Sequence, residues 1–348
     1  MADKHSVRFE PVGIEIEVDE EQNVLRAATE QGIMLMHGCK EGQCASCKSF
    51  VLDGDDIELD KYSTFALPDF EKDEGFTLLC RAHVYEDVTI ELLNYDEEMI
   101  RSGHPIQRAK AEVVSVDPVT RDMRHVKVKI VEPESVNFFA GQYWDFTVPG
   151  TDETRSFSVA NTPSSGGTEL EFVIRIYPGG LFSGYLDTQL KVGDVLELTG
   201  PFGVFTLRDG RDSDMVFLGG GAGMAPILSV LRSLAERGST RKATYYYGAR
   251  QVPDLCFTEE LANLQGQLAN FRFVPALSDH EGDGWDGETG LITDVMSKNE
   301  TDLSAADCYV CGPPPMVEAA MEALVALGAD EKHIYYDKFT TTGDPGRE

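Results

Sequence analysis

The chain has 348 residues, length enough for two or three domains, and its 42% apolar and 26% charged composition is that of a folded protein rather than a disordered one. A formal net charge of -30 repels phosphate backbones and anionic lipid headgroups, which excludes nucleic acid and membrane surfaces as partners. No apolar run approaches the ~18 residues that span a bilayer, and Met1 to His5 lacks the apolar start of a secretory signal, so the expected compartment is the cytoplasm, where thiols stay reduced.

Val7–Glu10 and Ile14–Val18 alternate apolar and charged residues around Pro11 and Gly13, which predicts a hairpin. A helix is expected next: Asn23 can cap it, Val24, Leu25, Ala27 and Ala28 give it an apolar face, and Gly32 ends it. Then comes Cys39-Lys-Glu-Gly-Gln-Cys44-Ala-Ser-Cys47, answered by Cys80. This C-x4-C-x2-C spacing with a distant fourth cysteine is the plant-type [2Fe-2S] pattern, in which four thiolates hold two irons. Gly42, Ala45 and Ser46 keep side-chain bulk low, so that backbone N–H groups can turn inward toward sulfide. A zinc ribbon would show two C-x2-C knuckles where this region has one, and a secreted disulfide scaffold would be shorter and richer in cysteine. Lys48–Leu52, closed by Asp53-Gly54, and Asp87–Leu93 read as strands. Together these elements, residues 1–95, resemble the β-grasp ferredoxin, an α+β fold.

Residues 96–105 lose periodicity and carry charge, Gly and Pro, and are expected to be a linker. Residues 106–211 are rich in short strands with turn signals at Asp117-Pro118, Pro149-Gly150 and Ser165–Gly167, the pattern of a small antiparallel β-barrel. Within it, Arg155-Ser-Phe-Ser158 and Gly180-Leu-Phe-Ser183 offer a cation for phosphate and hydroxyls for a ring nitrogen. Residues 212–342 change to strand, glycine-rich turn, helix, strand: Met215–Leu218, Gly219–Pro226, Ile227–Arg237, Ala243–Gly248. Glycines at a helix start let a backbone approach a pyrophosphate, although Gly221-x-Gly223-x-x-Pro226 departs from G-x-G-x-x-G. Further alternation through Phe271–Leu277, Cys308–Cys311, a helix after Pro315 and Ile334–Phe339 implies a mostly parallel, Rossmann-like α/β sheet. Residues 343–348 are expected to be a tail.

With its segments in this order, the chain resembles the NADH-dependent reductase components of bacterial multicomponent monooxygenases, those of the soluble methane, propane, alkene and phenol systems. The resemblance implies a ferredoxin followed by a ferredoxin-NADP-reductase-like pair of FAD and NAD domains. It implies that Cys39, Cys44, Cys47 and Cys80 ligate the cluster. Arg155, Ser156, Phe157 and Ser158 match the flavin motif R-x-Y-S, with Arg155 at the FAD phosphate, Ser158 near flavin N5, and Phe157 where Tyr is usual. Arg175, Gly180 and Ser183 match a second FAD segment, where a helix N-terminus receives the pyrophosphate. Gly219, Gly220, Gly221, Gly223 and Pro226 match the nicotinamide phosphate loop, and Cys311, Gly312 and Pro313 a motif that places a cysteine near the transferred hydride. Phe339 matches a C-terminal aromatic that covers the flavin ring, and Asp337 stands where Glu is common.

The resemblance further implies that NADH enters as a hydride donor, that FAD converts two electrons into single ones, and that the cluster passes these to a separate hydroxylase with a di-iron site. Ser158, Cys311 and Phe339 would then flank the transfer. Competing readings stand beside this one. The partner could be a Rieske-type dioxygenase, or the chain could be a one-electron carrier without NADH activity. Cys311 could be a structural thiol like Cys256 and Cys308. Arg250 could read the 2'-phosphate of NADPH, although Gly248–Leu255 looks more like the NADH users. The histidines form no metal-ligand spacing. Residues 1–103 hold 24 Asp and Glu against 9 Lys and Arg, an acidity that would steer docking onto a basic partner or serve solubility alone.

Overall fold

The structure is a computed structural model that describes residues 3–97, 99–101, 103–279 and 284–339. The expected tail at 343–348, and residues 340–342 before it, lie outside the described residues. Contacts divide the chain into two compact units, one ending at Ile106 and one running Gln107–Phe339.

In the first unit β1 (Lys4–Glu10) and β2 (Ile14–Asp19) form the expected antiparallel hairpin, with Val7 opposite Ile16. Their alternation puts Val7, Phe9, Ile14, Ile16 and Val18 into one core. Helix α1 (Val24–Glu30) starts at Asn23, whose side chain accepts from the Arg26 N–H at 2.9 Å, and it buries Val24, Leu25, Ala27 and Ala28. After an irregular loop come β3 (Lys48–Asp53), β4 (Ile57–Leu59), α2 (Asp69–Asp73), β5 (Phe76–Leu78), β6 (Ala82–Val84) and β7 (Val88–Leu92). Among the described residues the main sheet runs β2-β1-β7-β3-β5, and β4 pairs with β6 separately. The β1–β7 pair is parallel, so the sheet closes the chain's amino end against the end of the module. Ile100, in the stretch expected as linker, is buried in this core, and its carbonyl accepts from the Met34 N–H.

The second unit opens with β8 (Gln107–Pro118), β9 (Met123–Glu132), β10 (Tyr143–Thr147), β11 (Thr154–Ser158), β12 (Glu169–Arg175), α3 (Leu181–Thr188) and β13 (Val195–Phe202). Strand order is β11-β10-β13-β8-β9-β12, all antiparallel, and a bridge between Val159 and Phe172 brings the two edges together into a nearly closed barrel. Phe146 fills its centre, edge-on to Phe157, Phe172 and Phe182.

The remainder alternates β14 (Met215–Gly220), α4 (Met224–Glu236), β15 (Ala243–Ala249), α5 (Thr258–Gln267), β16 (Phe271–Leu277), β17 (Glu288–Thr289), α6 (Ile292–Asn299), β18 (Asp307–Gly312), α7 (Pro314–Ala326) and β19 (Ile334–Lys338). The sheet is wholly parallel in the order β17-β16-β15-β14-β18-β19. Order reverses between β14 and β18, and the carboxyl ends of these two strands therefore frame a crevice. Helix α4 is buried nearly all round because it lies between this sheet and the barrel, where the Ser229 hydroxyl donates to the Asn161 carbonyl at 2.6 Å. Among the described residues no helix is long and apolar enough to cross a membrane.

Candidate electron-transfer centres

The loop between α1 and β3 is bent by Lys40, Gly42 and Ala45, all at positive φ, and so turns its amides inward. The N–H groups of Glu41 and Gln43 donate to the Cys39 sulfur at 3.4 and 3.2 Å, and the Cys39 N–H donates to the Cys44 sulfur at 3.3 Å. Gly42 cannot carry a side chain: a Cβ there would stand 2.6 Å from Tyr62 Cβ.

The four thiols are arranged as two pairs. Cys39 hydrogen-bonds Cys44 and Cys47 hydrogen-bonds Cys80, and in each pair one thiol is driven up and the other down. The bond from the Cys39 thiol, against the cost of burial and with help from Ser46, brings Cys44 down to about 5, and the Cys80 thiol likewise lowers Cys47. Among the described residues no three His, Cys, Asp or Glu side chains converge as they would on one metal ion. Four cysteine sulfurs in two pairs, with backbone N–H groups turned toward those of Cys39 and Cys44, fit a two-iron group.

On the barrel, β11 carries Arg155 to Ser158 along the edge paired with β10. Arg155 is half-buried and paired with Glu153 at 3.0 Å, Ser156 donates to Asp145 at 2.6 Å, and Ser158 is buried. Phe157, standing where the resemblance expects Tyr, packs against Phe146 and Phe182 without needing a hydroxyl. Gly180 caps α3, and a Cβ on it would lie 2.3 Å from the Ser183 hydroxyl, which itself accepts from the Tyr177 N–H. No side chain caps the start of α3.

At the crevice, Gly219 and Gly220 end β14, Gly221–Gly223 form one turn of 3-10 helix, and α4 follows with Pro226 as its third residue. A Cβ would meet the Tyr245 hydroxyl at 2.7 Å on Gly219 and Met316 Sδ at 2.8 Å on Gly220, and on Gly223 it would meet backbone, the Cys311 carbonyl at 2.2 Å. On Gly221 it would meet Arg175 Nη2 at 2.8 Å. Arg175, at the end of β12 and held by Asp122 at 3.2 Å, therefore reaches from the barrel to the glycine-rich loop after β14. Gly312 leaves β18 at φ 151, its carbonyl accepts from the Phe339 N–H at 2.9 Å, and Pro313 opens α7. Cys311 is fully buried, and desolvation pushes its thiol well above the ordinary range, so it is held as a neutral thiol. Reading the sequence did not single out Asp122, Asp145 or Tyr245; the first two are short acidic partners with no periodic signal.

Three family models match in sequence: a 2Fe-2S iron-sulfur cluster binding domain over residues 7–85, an oxidoreductase FAD-binding domain over 110–207, and an oxidoreductase NAD-binding domain over 217–322. The reductase component of propane 2-monooxygenase from Mycolicibacterium goodii is 50% identical, covering 98% of this chain and 99% of that one. The chain belongs to the reductase components of multicomponent monooxygenases. The corresponding component of phenol 2-monooxygenase from a Pseudomonas species is 36% identical over 99% of this chain and 97% of its own. Among solved structures, a cytochrome P450 reductase from Amycolatopsis superposes with a TM-score of 0.85 at 30% identity, covering 97% of this chain and 99% of the other. This reductase is an iron-sulfur flavoprotein that carries electrons from NADH through FAD and a [2Fe-2S] cluster.

Proposed function

We propose that this reductase serves the oxygenase component of a propane-oxidising monooxygenase, with NADH as donor and a di-iron hydroxylase as acceptor. The observation that carries this reading is the 50% identity along essentially the whole of both chains with a propane 2-monooxygenase reductase. Cys39 and Cys44 hold one iron, Cys47 and Cys80 the other, as their pairing suggests. Arg155 and the start of α3, with Gly180 and Ser183, take the FAD phosphates, and Arg175 adds a cation between FAD and dinucleotide. Ser158 would flank the flavin ring and Phe339 would cover it. Gly219 to Gly223 and Pro226 receive the dinucleotide phosphates, while Cys311, Gly312 and Pro313 wall the nicotinamide side. When bound, FAD exchanges a hydride with nicotinamide and single electrons with the cluster, which bridges their different electron counts.

The cluster-bearing segment is acidic overall, and it carries Phe65, a side chain 91% exposed. The Ser63 N–H donates to the Gly42 carbonyl, fixing the Phe65 turn to the cluster loop, while Ala66 and Leu67 are buried beneath it. An exposed aromatic tied to the cluster loop, on a segment with 24 Asp and Glu against 9 Lys and Arg, suits a basic, partly apolar docking site. The test is reconstitution: the purified reductase with a propane-oxidising hydroxylase should support propane oxidation with NADH and far less with NADPH. Supply of a Rieske dioxygenase but not of that hydroxylase would overturn the reading.

A further inference from the structure

We propose that Arg81 is the cation that sets the reduction potential of the iron-sulfur centre. This rests on the reading of Cys39, Cys44, Cys47 and Cys80 as its ligands. Arg81 follows Cys80 directly, and its stem lies against the cluster loop, with Cγ 3.0 Å from where a Cβ on Gly42 would stand. Gly42 itself lies in that loop, between Cys39 and Cys44. The Arg81 Nε is buried and has no hydrogen-bond partner among the described residues, and its nearest carboxylate, Asp60, is 3.8 Å away and half exposed. Asp60 is also engaged by His83 at 3.2 Å. A guanidinium held partly out of water with so loose a partner is costly unless another negative charge lies close.

The four-thiolate centre is that charge. Four thiolates and two sulfides outweigh two ferric ions, and each electron that arrives from the flavin adds one more negative charge until it leaves for the oxygenase. No proton or bond change is needed. A fixed cation behind the loop favours the reduced form, and because it is only 23% exposed its field is weakly screened. Residues 1–103 hold 24 Asp and Glu against 9 Lys and Arg, so a cation beside the loop opposes a field that makes electron uptake harder.

The experiment is a potentiometric titration of the full chain, followed by the electron paramagnetic resonance of the reduced cluster, with iron and flavin assayed on the same samples. Arg81→Gln is expected to lower the midpoint, making the reduced cluster about tenfold less populated at a given potential, or about 59 mV for one electron. Arg81→Lys, which keeps the charge, should stay near the unsubstituted value. Asp60→Asn should move the midpoint upward. An unchanged midpoint in Arg81→Gln, or an equal shift in Arg81→Lys, overturns the proposal. If Arg81→Gln fails to retain iron, Asp60→Asn decides: an upward shift supports it, and no shift or a downward one overturns it. Absence of a two-iron signal in the unsubstituted protein would instead remove the ligand reading, and this proposal with it.

Discussion

The carbonyl oxygen of Cys311 stands 2.2 Å from the point a Cβ on Gly223 would occupy. Both are backbone positions at the carboxyl ends of two neighbouring parallel strands, β14 and β18, so neither yields cheaply. Gly223→Ala should cost about 1–3 kcal/mol of local strain and cut NADH-driven ferricyanide reduction about tenfold or more, chiefly through KM, while FAD content is kept. Gly266→Ala is the control. Gly266 lies in α5 with nothing near its missing Cβ, and the change should leave activity alone and stabilise by about 0.5–1 kcal/mol.

Phe65→Ala should slow electron delivery to the oxygenase, with a loss of about 2 kcal/mol typical of a central aromatic anchor, and leave NADH oxidation by ferricyanide unchanged. The rate with the oxygenase should also fall as salt is raised, because residues 1–103 hold 24 Asp and Glu against 9 Lys and Arg. Stopped-flow mixing across ionic strengths measures both effects. A rate indifferent to salt would mean that the carboxylates serve solubility instead.

Glu171 predicts a pH dependence of stability. Burial opposes its ionisation, but hydrogen bonding from His125 at 2.9 Å and the charges of Arg232 at 3.2 Å and Lys127 at 3.4 Å outweigh that and hold it at about 2. A carboxyl held lower in the folded state than in the unfolded one stabilises above the ordinary carboxylate range and loses that contribution as pH falls toward about 2. Because Arg232 also grips Glu260 and the Ala160 carbonyl, the network ties the barrel to α4. Glu171→Gln should lower stability at neutral pH by about 1–3 kcal/mol and flatten the acid limb of the unfolding curve between pH 4.5 and 2. Denaturant titrations at several pH values check this.

How far the sequence reached follows the physics of each signal. The cysteine spacing, the Asn23 cap and the Gly219–Gly223 turn were legible because they are local: each works through neighbours a few positions away. So was the parallel sheet, whose strands alternate with helices. Helix α2 was not, since Asp69–Asp73 buries none of its residues and so has no apolar face to read. Nor were the long-range pairs. The meeting of Arg175 with Gly221, of His125 with Glu171, and of Arg81 with Gly42 joins residues far apart in the chain, 46 positions for His125 and Glu171, with no period between them. Phe65 carried no signal either, because exposure is a property of the fold.

The central claim is that a pair of electrons enters at the carboxyl-terminal half and leaves singly through the four cysteines. Cys44→Ala, prepared with its full complement of FAD, tests it most directly by comparing ferricyanide reduction with oxygenase turnover under NADH. The account predicts ferricyanide reduction at the unsubstituted rate with oxygenase turnover abolished. Oxygenase turnover at full speed in that variant would contradict it.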